Sequence, residues 1–464
     1  MGQNASDNTM EFSGLFELLG KGIREQIGSG QGPRARRRKK GGKGRRTSIT
    51  SSIGREHYGF IDDVDEVKLI EPDSVPEGYT KCDELYTGYY VDITEKGVHK
   101  TEYNMTVYQN RKTGHYIIAE YPALLTEPSI TYSSNFKKFA LLTLLSFSLT
   151  PEQVATFFGN MAGFFIQPSV VEDFLAEAAG KLDGFEQWLV YKLSQEERVQ
   201  FTSRPMRMGG RRCFLYTAQS PIYTLYMAHP ENGREAMETM GILPRLGGLA
   251  VHGVSGALLD FPCRHRILQD DLQKCLREAN EPWCGQIADL LQKAMQNWKE
   301  GRLDAESLAA VKAQYRVILA SAAPLSSRVN KFASLSAKAL HAILTEREDA
   351  VFDWALDNPA EEGKKEACDK TGEFPKNFRS LDYARHICRM KSYLETAVLC
   401  RAVEIAEDMA NLDEDGMSML NLTMHGMLLE RLLDGYIPSF MNPDEIPEEF
   451  RDMPLPNAAS QKQG

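Results

Sequence analysis

The chain holds 464 residues, 42% hydrophobic and 25% charged, with a formal net charge of −10. These globular values exclude a disordered or fibrous protein and leave room for roughly two to four domains. No apolar run approaches the roughly 18 residues of a membrane span, the eight cysteines contain no C-x-x-C pair, and MGQNASDNT at the amino end lacks a signal-peptide pattern, so a soluble, cytoplasmic protein with no membrane partner is expected.

Residues 10–27, MEFSGLFELLGKGIREQI, space their apolar side chains as a short amphipathic helix that Gly28 to Gly32 end. PRARRRKKGGKGRR at 33–46 then carries nine Lys/Arg and no acid. The first fifty residues hold eleven basic and four acidic side chains, +7, which leaves −17 for the rest. Six glycines between 28 and 44 argue against a stable fold, so 1–55 is expected to be a flexible basic arm. Arg34, Arg36, Arg37, Arg38, Lys39, Lys40, Lys43, Arg45 and Arg46 have the density to neutralise nucleic-acid phosphates without reading sequence. A solvated linker or solubility tail is the alternative.

Residues 56–125 suggest a small β-rich module. Its first part, to 96, is mixed and acidic, with turns at Pro72 and Pro76; from Val98, VHKTEYNMTVYQ, NRKTG and HYIIAEY alternate as a hairpin. A helical subdomain follows over 130–195. It holds a helix at Phe136–Ser148, a second from Pro151 with Thr150 as N-cap, and a third at Pro168–Leu182. The last two have the spacing of a helix-turn-helix. A plain helical pair is the alternative, because Glu172, Asp173 and Glu177 on the third helix would repel a phosphate backbone.

Next comes strand, strand, strand, helix, strand: VQFT at 199–202, RRCFLYTAQ after the Gly209-Gly210 turn, IYTLYMAH after Ser220-Pro221, the helix ENGREAMETMGIL, and GLAVHG. That order matches a ribonuclease-H-like (integrase-like) α/β sheet, in which the fourth strand lies beside the first. Acids at the ends of those two strands would hold two divalent metals for phosphoryl transfer. The positions concerned are Thr202 and Gly253.

FLYTAQSPIYTLYMAH, GREAM at 233–237, GILP at 241–244, AVHG at 250–253 and FRSLDYARHICRMKSYLETA at 378–397 carry a resemblance. Together they resemble the central domain of the DDE-type transposases of insertion-sequence family sixty-six. The resemblance covers about residues 130–435, and the arm and β module resemble the family's N-terminal region more loosely. It implies a ribonuclease-H-like core over 196–435 with a large helical insertion at about 270–357. It also implies three catalytic acids, and here the chain departs. Thr202-Ser203-Arg204 stands for Asp-Glu-Thr, and Gly253 for an Asp. Asn358-Pro359-Ala360-Glu361-Glu362-Gly363 stands for an Asn-Asn-x-x-Glu-Arg motif, so Glu362 alone matches an acid. The family's Cys-x-x-His-x-x-Arg signature corresponds to Leu268 through Lys274, and only Cys82 stands where relatives have zinc-binding cysteines.

Magnesium takes charged oxygens in near-octahedral geometry. A threonine hydroxyl is neutral, glycine offers nothing, and Glu362 alone cannot hold two metals about 3.5–4 Å apart. Asp260 lies seven residues past Gly253, and Glu196 and Glu197 precede the first strand, at its other end. The expectation is a transposase-family protein of a bacterial insertion sequence that binds DNA, has lost catalysis and needs no cofactor. A second copy or an intact transposase are the further partners it allows. One alternative is an active DDE transposase that cleaves and transfers DNA strands with magnesium; another is a protein-interaction scaffold.

In the insertion, Ile287, Leu290, Leu291, Ala294 and Met295 share a helical face. His341 and His386 are lone residues on helices and are expected to be structural, while His252 and His265, near the strand ends at Thr202 and Gly253, lack the partners that would make a zinc or catalytic set. Met390, Met409, Met417, Met419, Met424 and Met427 are expected to fill core. Residues 437–464, proline-rich and acidic, are expected to be a mobile tail.

Overall fold

The computed structural model describes residues 61, 63–94, 96–125, 130–162, 164–322, 335–357, 374–375, 377–404, 414–436 and 441–458. The basic arm, the 10–27 stretch and Glu362 lie outside the described residues. The chain is mixed α/β and divides into two compact units, one within 1–137 and 160–164, the other within 138–159 and 165–464.

In the first unit β1 (Glu66–Ile70), β2 (Tyr79–Thr94), β3 (Gly97–Asn110), β4 (Tyr116–Ile118) and β5 (Ile130–Tyr132) form one mixed sheet. Its order is β1-β3-β2-β5, with β4 also on β3. The hairpin expected after Val98 is β3 with β4, Tyr108 opposite Ile117. The longest strand, β2, is not legible in the sequence pattern. Its first half is largely exposed, and only Tyr89, Val91 and Ile93 near its end show buried alternation. Tyr103, Met105, Ala119 and Leu125 form the module's buried cluster.

Four helices follow: α1 (Ser134–Ser146), α2 (Pro151–Ala162), α3 (Pro168–Gly180) and α4 (Asp183–Ser194). Thr150 caps α2 as expected, in a reciprocal box: Gln153 N donates to Thr150 Oγ1 at 3.3 Å and Thr150 N to Gln153 Oε1 at 2.8 Å. The would-be recognition helix, α3, buries Val171, Phe174, Leu175, Ala178 and Ala179, and Glu172 on it is paired to Arg379. Those features are those of a packed helical element.

The second unit is built on a sheet of six strands, β6 (Arg198–Met208), β7 (Arg211–Gln219), β8 (Thr224–His229), β9 (Leu249–His252), β10 (Arg264–Ile267) and β11 (Asn377–Phe378). The order is β10-β9-β6-β7-β8, with β11 on β6. β6, β7 and β8 form the expected antiparallel meander, and α5 (Arg234–Met240) leads to β9, which lies parallel to β6. The fourth strand is thus beside the first, as the pattern implies. The first strand is longer than expected and continues through Pro205. That proline falls between the last β9 partner, at Phe201, and the first β11 partner, at Arg207, where a missing N–H breaks no ladder on that side.

β8 is an edge strand whose outward backbone groups are met by side chains. Ser392 and Thr396, one turn apart on α12 (Leu381–Glu404), accept from Tyr226 N at 2.8 Å and Thr224 N at 3.1 Å. Helix positions i and i+4 rise about 6 Å, close to the two-residue repeat of a strand of roughly 6.6 Å, so one hydroxyl stripe matches one strand edge. Asn457 completes the row, its Nδ2 donating to Tyr226 O at 2.8 Å.

Residues expected to form a mobile tail are therefore part of the core. Within 441–458, Ile446, Phe450 and Asn457 are buried, Phe450 packs on Tyr191, and Lys192 pairs with Glu445 at 2.8 Å. Prolines and acids dominate the composition of that stretch, but three or four anchors suffice to dock it.

The helical block expected after Asp270 is α7 (Gln269–Ala279), α8 (Pro282–Lys299), α9 (Ala305–Ala320), α10 (Ala337–Glu346) and α11 (Glu348–Phe352), which follow the short α6 (Gly256–Leu259). Ile287, Leu290, Leu291 and Ala294 are buried in one cluster with Tyr315, Phe352 and Trp354, and Met295 packs at its rim. Burying each such large side chain contributes roughly 1.5–3 kcal/mol. Of the methionines expected in the core, Met390 and Met424 are buried, but Met419 and Met427 on α13 (Glu414–Leu433) are exposed at 36% and 40%. A methionine-rich helix is not buried on every face. Met409 and the Met417 side chain lie outside the described residues. The last helix, α14 (Glu448–Arg451), carries Phe450.

Candidate functional site

The register of β6 on β9, ending at Phe201 opposite His252, puts Thr202 level with Gly253, the first residue after β9. Side chains alternate along both strands, so Thr202 and position 253 share one face of the sheet. Thr217, directly across from Thr202 on β7, shares that face. Neither threonine hydroxyl has a hydrogen-bond partner among the described residues, although Thr217 is buried.

The space beside Gly253 is filled by Asp271. Its carboxylate stands where a β-carbon at 253 would lie. Asp271 belongs to the first turn of α7, where the helix dipole favours an acid. The start of α7 is fixed by Leu268 N, which donates to His252 O at 2.8 Å, and by Gln269 Nε2, which donates to Val351 O at 3.1 Å. The sequence showed Asp271 only as a member of an eroded signature. No local spacing reveals that it reaches back over Gly253.

The structure brings Thr202 and Gly253 together as expected and supplies one carboxylate beside them. Glu362, Arg34, Arg36, Arg37, Arg38, Lys39, Lys40, Lys43, Arg45 and Arg46 lie outside the described residues. Asp260 ends α6 and faces Arg347 at 3.8 Å. Glu196 and Glu197 lie at the opposite end of the strands, where they line a cleft of about 650 Å³ with Arg198, Gln200, Gly248 and Asp357. Burial raises the Glu196 carboxyl above its ordinary range. Among the described residues no group of three or more His, Cys, Asp or Glu side chains is arranged to hold a metal. Magnesium paired at such a site needs several charged oxygens, and Asp271 with two neutral hydroxyls does not fit that need.

His252 and His265 contact each other, His252 Nε2 lying 3.0 Å from His265 Nδ1. β10, which carries His265, was hidden by its charges. Arg266 is 3% exposed there and is paired with Asp353 at 2.7 Å and Asp357 at 2.8 Å. His341 is structural as expected, its Nε2 bonded to Leu319 O at 2.9 Å. Burial lowers the affinity of His386 for a proton. No described helix is long and apolar enough to cross a membrane. Comparison with protein-family models and with curated proteins finds no match.

Proposed function

We propose that this chain is a DNA-binding protein of transposase descent, similar to the family named above, whose ribonuclease-H-like core is kept as a scaffold while its cleavage chemistry is lost. The observation that supports this most is the level placement of Thr202 and Gly253 on adjacent parallel strands. In such a core those are the places for two metal-binding acids, and here they bear a neutral hydroxyl and a hydrogen. The strand order β10-β9-β6-β7-β8 accords with the same reading. The nine basic residues of 33–46 supply the DNA contact.

The test of binding is affinity for a random-sequence duplex as a function of salt. The full chain should bind with log affinity falling by about 0.9 per phosphate neutralised for each decade of salt. Replacing the nine arm residues with Gln should remove most of that slope. Negligible affinity of the unaltered chain at low salt would instead favour a protein-interaction scaffold.

One observation favours a second reading, an active magnesium-dependent transposase: the Asp271 carboxylate stands in the place vacated at Gly253. With Glu362 it would make two acids. Metal-dependent DNA cleavage lost on Asp271→Asn would establish that reading.

A further inference from the structure

His252 closes β9 and His265 lies on β10; they are 0% and 7% exposed. Their nitrogens form an unbroken chain of short contacts. Gly253 O lies 2.7 Å from His252 Nδ1, His252 Nε2 lies 3.0 Å from His265 Nδ1, and His265 Nε2 lies 2.9 Å from Phe261 O. A carbonyl oxygen only accepts, so for the two outer contacts to be hydrogen bonds His252 Nδ1 and His265 Nε2 each bear the hydrogen. A neutral imidazole has one N–H. Both are thereby used, and two bare nitrogens are left facing each other.

The ring centroids are 5.2 Å apart with the planes at 75°. At that spacing the facing nitrogens lie close to the line between the centroids. The lone pairs therefore oppose each other and do not converge on a point where a metal ion would sit. Only a third proton makes all three contacts hydrogen bonds at once.

We propose that His252 and His265 form a buried proton switch: the pair takes up one proton from solvent in acid, which completes the N–H···N contact, and on releasing it gives up one of its three contacts. A second proton is opposed by two cations at 3.0 Å. Burial sets the range, since it pushes His252 down to about 4 and His265 down as well. Arg347 opposes a charge on His265 and Asp349 favours it. Asp260, facing Arg347, partly offsets the former. Cys263 Sγ, 3.6 Å from His265 Nε2, is no proton source, because burial lifts its thiol to about 11. From β6 the neighbour of His252 is the apolar Phe201. His252 O also receives Leu268 N, so the switch bears on the loop after Gly253 and on the first turn of α7.

The test is ¹⁵N NMR of the imidazoles in the full chain, titrated downward from neutral pH. Both rings should shift in one joint step, below the ordinary imidazole range, with one proton taken up for the pair. The Leu268 amide, which donates to His252 O, should gain protection relative to its intrinsic exchange rate at the same pH after that step. In His265→Gln, whose amide does not titrate, the joint step should vanish; if that variant does not fold, the unaltered chain decides. Separate titrations of the two rings, uptake of two protons, or no uptake before acid unfolding would overturn the proposal.

Discussion

Asp271 reaches back from the first turn of α7 into the space that a side chain at Gly253 would occupy, so the two positions pack as one unit. An acid at 253 and the acid at 271 exclude each other in this arrangement. Gly253→Asp alone should therefore destabilise the chain by about 1–3 kcal/mol through overpacking and like charge. Gly253→Asp with Asp271→Ala should recover most of that loss. Urea unfolding of the two variants checks it; equal losses in both would show that the positions are independent.

A second close approach lies at the other end of the strand. A β-carbon at Gly248 would meet the backbone carbonyls of Glu196 and Glu197, which cannot swing aside as a side chain can. Gly247 has open space beside it. Gly248→Ala should cost about 2 kcal/mol or more, and Gly247→Ala less than about 1 kcal/mol. Thermal unfolding of the pair distinguishes them, and similar midpoints would refute the difference.

The buried network that docks the C-terminal segment should be the least tolerant of change. Arg389 pairs with Glu186 at 2.8 Å, and Asn457 Nδ2 donates to the same carboxylate at 2.6 Å. Glu186 is 1% exposed, and burial pushes its carboxyl upward despite the guanidinium. Arg389→Ala leaves that acid without its cation and should destabilise by about 3–5 kcal/mol. Arg389→Met with Glu186→Leu should restore much of it, as denaturant midpoints would reveal. A double variant as weak as the single would mean that the charges themselves are required.

How much of this was legible differs from element to element. β7, β8 and the return of β9 showed in apolar runs punctuated by glycine and proline, because those strands are buried on both faces for most of their length, whereas β6 buries only alternate residues such as Val199 and Phe201. β10 did not show, since Arg264 and Arg266 find their counter-charge at Asp353, far along the chain. The docked segment 441–458 was obscured for a similar reason, its anchors Ile446, Phe450 and Asn457 being scattered among prolines and acids. At the strand ends, Thr202 and Gly253 stood out through the strand order and the family resemblance, which implies carboxylates there. The Asp271 carboxylate beside Gly253 and the histidine pair arise from contacts between separate elements, which no periodicity encodes.

In the β module, Glu71 should titrate far into acid. Lys81 first, then Tyr108 and Thr106, donate to its carboxylate and hold it down to about 2. These contacts favour the ionised form, so their contribution is fully present above the ordinary value of 4.5 and is lost as pH falls through about 2. Tyr108→Phe removes one donor and should raise the midpoint. Carboxyl ¹³C NMR reads it directly, and an unchanged midpoint would dismiss the tyrosine's role.

The proposal that this chain binds DNA without cleaving it is tested most directly by incubating the full chain with supercoiled plasmid DNA in magnesium or manganese and following nicking and binding together. The expected result is DNA that is bound, in a salt-dependent way, and left intact by the unaltered chain and by Asp271→Asn alike. Metal-dependent nicking by the unaltered chain that disappears in Asp271→Asn would contradict it.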